Sequence, residues 1–161
     1  DARPMWRDGG NIHREDGVDL GHTRLSIIDL AGGDQPLINQ SATLVANGEL
    51  YNDPQIRQRL GPAAFQTGSD CESALALFTR EGAEYPRHLR GMYAIALHDT
   101  RSGEVLLTRD PFGIQPLYMA ETSYGLAFAS EPAALLQAGL VSRGLCPPAR
   151  AASLPLRPLP G

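Results

Sequence analysis

Cysteine is scarce in this sequence: there are two, Cys71 and Cys146, and neither belongs to a CxxC pair. That excludes a disulfide-stapled secreted scaffold and a zinc site built on paired cysteines, and no His or carboxylate partners stand at ligand spacing. Two free thiols in a reducing compartment are expected. Long apolar runs are lacking too. No segment approaches the roughly 20 residues a helix needs to cross a bilayer, and no signal-peptide pattern opens the chain. No membrane partner and a cytoplasmic location are therefore expected. Blocks of basic charge are also missing. The 14 Lys and Arg face 18 Asp and Glu, for a net charge of −4, which argues against a nucleic-acid partner. What is present is the composition of a globular domain: 42% hydrophobic and 20% charged residues in a chain of 161, enough to bury a stable core.

Along the chain, "VDLGHTRLSIIDL" (18–30) mixes β-branched and apolar residues and predicts one or two strands broken near Gly21. Thr43–Ala46 predicts a short buried strand, and "DPQIRQRL" a short helix with Asp53 at its N-cap, ending at Gly61. In "TGSDCESALALFTREG", Ala74, Leu75, Leu77 and Phe78 form an apolar stripe at helical spacing. Ser69 and Glu72 fit a capping box ahead of it, and Gly82 is a natural stop. Met92–His98 and Glu104–Thr108 read as a hairpin around "DTRSG". Another strand and "GLAFAS" follow, then a short helix with Ser130 as its N-cap. The run "GLCPPARAASLPLRPLPG" holds too many prolines for a regular element. Strands that follow one another through short turns favour an antiparallel α+β architecture over a doubly wound parallel sheet.

Three polar clusters interrupt the apolar strands: "HTRLSIID" with Arg24, "ANGELYN" with Asn47, Gly48 and Glu49, and "TGSDCE" with Ser69 and Asp70. Each has a plain structural reading. Arg24 suits a strand edge, Asn47-Gly48 suits a tight hairpin turn because both residues tolerate positive φ, and Asp70 suits a helix N-terminus. Together they also suit a small zwitterion. An arginine can grip an α-carboxylate, an aspartate can pair with an α-ammonium, and an Asn amide beside a Gly N–H can stabilise a tetrahedral oxyanion.

The strings "GHTRLSIIDL", "QPL", "NGELYN", "FQTGSDCE", "LRGMYAIALHDTRSGEVLLTRDPFGIQPLY" and "FASEPAAL", in this order, resemble the glutaminase domain of class II glutamine amidotransferases, in their asparagine-synthase branch. The resemblance runs over residues 12–139. It implies an Ntn-hydrolase-like α-β-β-α sandwich, two antiparallel sheets between helices. It implies that Arg24 holds the carboxylate of L-glutamine and Asp70 its ammonium, that Asn47 and Gly48 form the oxyanion hole, and that Glu49 helps bind the amine. Arg109, Asp110, Gly113 and Pro116, with Ser130 and Glu131, match family segments of structural character. An ATP-pyrophosphatase synthetase domain or subunit is the implied partner. The resemblance implies no cofactor in this domain, ATP and Mg belonging to the synthetase, and leaves a homodimer open. Residues 1–140 are expected to form the amidotransferase domain, its N-terminal strand and helix missing, and residues 141–161 a Pro-rich linker or tail.

The family attacks with an N-terminal cysteine whose own amine is the base. This sequence opens "DARPMWRDGG", and the resemblance already gives Cys71 a helical place, so the chain as written is expected not to hydrolyse glutamine. Three readings stay open: part of an asparagine-synthase-like protein, whose glutaminase half passes ammonia onward; a degenerate, non-catalytic binding or assembly module; or another Ntn-type amidohydrolase. The acceptor of the nitrogen is not readable here, asparagine being the commonest product of the family.

Overall fold

The Asn47-Gly48 pair does not turn the chain. In the computed structural model, which describes residues 10–23 and 34–142, it lies inside a nine-residue strand, β4, running Ala42–Leu50. The strand pairs antiparallel with β5 (Gly91–Asp99) along its whole length, with Asn47 opposite Ala94 and Gly48 opposite Tyr93. The expected strand at Thr43–Ala46 thus starts one residue late and ends four early, because partner strand β5 outweighs the local turn preference at Asn47-Gly48. Gly48 meets the geometry with φ +136, and a Cβ there would stand 1.9 Å from the Met92 carbonyl oxygen and 2.7 Å from the Tyr93 Cα. No other residue fits between the two strands.

The described residues divide into two units between Leu117 and Tyr118. In the first, β3 (Leu37–Ile38), β4, β5 and β6 (Glu104–Arg109) form one antiparallel sheet in that order. Leu44, Ala46 and Leu50 of β4 share a core with Leu97, Ile95 and Tyr93 and with Ala74, Leu75, Leu77 and Phe78 of helix α2 (Glu72–Glu81). The apolar stripe read from the sequence is therefore the buried face. The hairpin β1 (Gly10–Glu15) and β2 (Val18–Thr23) lies against β4, the His13 ring 3.4 Å from the Thr43 hydroxyl and its register partner Leu20 fully buried. Asp16 and Gly17, both at positive φ, make its turn. Gly21 does not break β2, which pairs straight through it, opposite Ile12. His98 is fully buried.

Helix α1 spans Asp53–Leu60 with Asn52, not Asp53, at its N-cap, and stops at Gly61 (φ +81). Helix α2 stops at Gly82 as expected, but the chain then continues as a 3-10 turn over Gly82–His88. The capping box does not form. Cys71 is the N-cap, and the Glu72 carboxylate instead takes the Gln66 N–H at 2.6 Å, the Thr67 N–H at 2.8 Å and the Thr67 hydroxyl at 2.6 Å. Three donors on one buried carboxylate outbid a single N-cap bond.

In the second unit, β7 (Tyr118–Thr122) and β8 (Gly125–Ala129) form an antiparallel hairpin followed by α3 (Pro132–Gln137). Its N-cap is Glu131 rather than Ser130. Among the described residues, no helix is long and apolar enough to cross a membrane.

Candidate active site

The strand β4 changes character at Asn47. Up to Ala46 every side chain is buried; Asn47 and Glu49 are exposed, with Gly48 half-buried between them. Backbone alternation decides where the N–H groups point. Ala42 donates to the Asn39 side chain at 3.0 Å, Ala46 to the Gln35 Oε1 at 2.6 Å, and Leu50 to the Asp70 Oδ2 at 2.6 Å, all on the edge away from β5. The same alternation puts the Gly48 N–H on that edge, between the groups held by Gln35 and by Asp70. Gln35 completes its clamp by donating from Nε2 to the Ala46 carbonyl at 2.9 Å.

Asp70 comes to this edge from the segment preceding α2, which brings two of the sequence's polar clusters together although 20 residues separate Leu50 from Asp70. Among the described residues its single backbone donor is Leu50, so the carboxylate keeps acceptor capacity for a ligand. Glu49 lies opposite Met92 on the exposed face with Asn47. Arg24 falls outside the described residues. The candidates the structure brings together are therefore Asn47, Gly48, Glu49 and Asp70.

On the far side of β5, Asp110 buttresses the strand opposite Gly48. Its carboxylate accepts from the backbone N–H groups of Phe112, Ile114, Gln115 and Tyr93, while its own N–H donates to the Tyr93 carbonyl at 2.8 Å. Arg109 holds the same loop by the Gln115 and Gly113 carbonyls. Desolvation alone would raise the Asp110 pKa. The N–H bonds from Gln115, Ile114, Tyr93 and Phe112 outweigh it and hold the carboxyl below the usual carboxylate value.

Cys71, next to Asp70, is no nucleophile. Burial first, then the charge of Asp70 and a hydrogen bond to it, push the thiol up to about 12, so almost none is thiolate at neutral pH. Among the described residues no cluster of His, Cys, Asp and Glu could hold a metal.

A family model described as a glutamine amidotransferase domain matches residues 6–152. The chain belongs to the glutamine amidotransferase family. Asparagine synthetase B (glutamine-hydrolyzing) of Escherichia coli (strain K12) is 46% identical over 133 residues, covering 80% of this chain and 24% of that protein. Asparagine synthetase (glutamine-hydrolyzing) of Zea mays is 42% identical over 131 residues, covering 80% and 22%, and asparagine synthetase (glutamine-hydrolyzing) 2 of Bacillus subtilis (strain 168) is 38% identical over 126 residues, covering 77% and 17%. The chain thus spans a quarter or less of the length of these curated relatives. Among solved structures, glutamine phosphoribosylpyrophosphate amidotransferase from B. subtilis superposes with a TM-score of 0.64 at 28% identity, covering 75% of this chain and 29% of that one. The amidotransferase fold here is the Ntn-hydrolase one, α+β with antiparallel sheets, as the sequence led one to expect.

Sequence reasoning missed Gln35 as the clamp on β4 and Arg57 as the holder of the Asp70 segment. Gln35 stands in "QPL", inside the matched strings, but nothing in the spacing says that its amide pairs with a strand. For Arg57 one signal was legible: Asp53 lies four residues before it on the same helix.

Proposed function

We propose that this amidotransferase domain binds L-glutamine at the open edge of β4 and supplies ammonia from its side-chain amide to an ATP-dependent synthetase domain or subunit, as in an asparagine synthetase. The Asp70 carboxylate pairs with the α-ammonium, Glu49 assists it, and Arg24 takes the α-carboxylate. The Asn47 amide and the Gly48 N–H receive the oxyanion that forms when the side-chain carbonyl is attacked. The attacking group is not Cys71, whose thiol is buried and protonated. Hydrolysis of the amide needs no cofactor here; ATP and Mg serve the synthetase. We take residues 1–140 as the amidotransferase domain, residues 141–161 as a linker or tail, and the cytoplasm as its place.

One observation carries this reading: Asn47-Gly48 is built into a paired strand, with the Gly48 N–H on the edge where Asp70 bonds Leu50. The test is titration of the chain with L-glutamine and D-glutamine, followed by calorimetry. Saturable binding of the L form in the millimolar range or tighter, with the D form much weaker, supports the site. Equal or absent binding of both overturns it.

A further inference from the structure

Asp70 sits in a segment that has no regular structure of its own, between the 3-10 turn at Pro62–Ala64 and helix α2. Something else must aim it. The Arg57 guanidinium donates from Nη1 to the Thr67 carbonyl at 3.1 Å and from Nη2 to the Ser69 carbonyl at 2.7 Å, while its Nε bonds both Asp53 oxygens at 2.9 and 3.0 Å. The guanidinium also lies 4.2 Å from the centre of the Phe65 ring. Asp53 in turn accepts from the Ser73 hydroxyl at 2.5 Å, tying α1 to α2.

The two clamps on this segment have opposite polarity. Glu72 holds its N–H groups, at Gln66 and Thr67, and Arg57 holds its carbonyls, at Thr67 and Ser69. Ser69 is the residue immediately before Asp70, so the carbonyl that Arg57 grips belongs to the peptide that sets the direction of the Asp70 Cα. A planar fork bonded on all three nitrogens fixes that peptide in a way a single ammonium cannot. Neighbouring Arg59, by contrast, makes one exposed contact, with Glu81 at 3.2 Å.

We propose that Arg57 is the positioning residue for Asp70: it fixes the segment so that the carboxylate meets the Leu50 N–H and presents its remaining acceptor capacity to the substrate ammonium. This rests on the reading of Asp70 given under the proposed function. The selectivity it contributes is for the α-amine, not for the amide or the carboxylate of the ligand.

The experiment is NMR titration of the chain and its variants with two ligands: L-glutamine, and glutaramate, which keeps the amide and carboxylate but has no amine. Arg57→Gln and Asp70→Asn are each expected to weaken L-glutamine by about tenfold or more, the scale of one charge-assisted contact. Glutaramate binding changes little in either variant, and the double variant is no worse than Asp70→Asn alone. If Arg57→Gln does not fold, Arg57→Lys keeps the charge and stem but reaches only one carbonyl, and the same selective loss is expected. An arginine that merely holds the fold would lower both ligands alike; that pattern, or no loss at all, with Asp70→Asn still amine-selective, overturns the positioning role and leaves the site reading intact. If Asp70→Asn weakens both ligands alike, or neither, the site reading falls and the positioning role with it.

Discussion

Two loops approach the β4–β5 ladder from opposite sides at nearby rungs, Asp110 at Tyr93, which pairs with Gly48, and Asp70 at Leu50, which pairs with Gly91. Each loop carries an aspartate and is held by an arginine. Around Asp110, four backbone N–H groups converge on one carboxylate. Around Asp70, among the described residues, there is one, from Leu50. The loops share a building principle, an arginine holding carbonyls and an aspartate meeting amides, but they use the aspartate differently. A carboxylate whose acceptor sites are filled by its own backbone is a structural part. A carboxylate held by one N–H and aimed along an open strand edge has capacity to offer a ligand. Between them lie Gly48 and Tyr93, directly paired, so the saturated loop braces β5, the partner of the strand on which the unsaturated one works.

The largest way to break this arrangement is at the rung itself. Gly48→Ala places a Cβ 1.9 Å from the Met92 carbonyl oxygen at φ +136, so β4 and β5 must separate. A loss on the order of 3 kcal/mol is expected, with no measurable glutamine binding, read by urea denaturation and calorimetry. Next comes Asp110→Asn, which puts an amide NH2 among four donors and removes the anion they share. It lowers the denaturation midpoint more than Asp70→Asn does. Because the folded carboxyl is held below its ordinary value, the unfolded chain takes up the proton first as pH falls. The stability Asp110 contributes is thus present above about pH 4, the unfolded value, and is lost as pH drops through the folded one. Asp110→Asn therefore flattens the acid limb of a stability–pH profile. An unchanged acid limb would mean that the filled carboxylate is not the brace it looks to be.

Asp70→Asn sharpens the contrast from the other side. The Leu50 N–H keeps a carbonyl acceptor, so stability changes by about 1 kcal/mol or less. Glutamine affinity falls roughly 10- to 100-fold, the scale of 1.5–3 kcal/mol for a hydrogen bond to a charged group. Were the two aspartates equivalent, the variants would trade places freely; the expected result is that one loses fold and the other loses ligand.

Much of this was legible in the sequence, and the illegible part has a physical pattern. The apolar stripe of α2, the β5–β6 hairpin and the stops at Gly61 and Gly82 follow from periodicity and φ preference, which are local. β4 was foreshortened because Asn-Gly is a strong local turn signal, overruled by nine register pairs with a strand more than 40 residues away in sequence. The capping box failed for a related reason: Glu72 had a better set of donors at Gln66 and Thr67 than Ser69 could offer. At the candidate site, the residue types were readable as strings, but not the bonds that assemble them. Asp70 to Leu50 and Gln35 to Ala46 are side-chain contacts with the backbone of a single residue, which leave no repeating trace in a sequence.

Cys71 offers the finest probe of the unsaturated loop, because its thiol reports on Asp70 without touching the ligand edge. Burial is the largest cause of its shift from 9.0 to about 12, followed by the charge of Asp70 and the hydrogen bond to it. At mildly alkaline pH the thiolate fraction is therefore far below that of an ordinary thiol, and iodoacetamide alkylation of the native protein is expected to be much slower than in urea. Asp70→Asn removes the second and third causes but not the first, so alkylation speeds up and still lags the rate in urea. The raised value also has a sign: the folded state favours the protonated thiol, so its contribution to stability is full below about pH 9 and declines as pH rises above it. Cys71→Ser should blunt that alkaline decline with little effect at neutral pH. If Asp70→Asn left the alkylation rate unchanged, the Asp70 carboxylate would not be facing its neighbour's thiol, and its single backbone donor would no longer mark it as the aspartate held ready for a ligand.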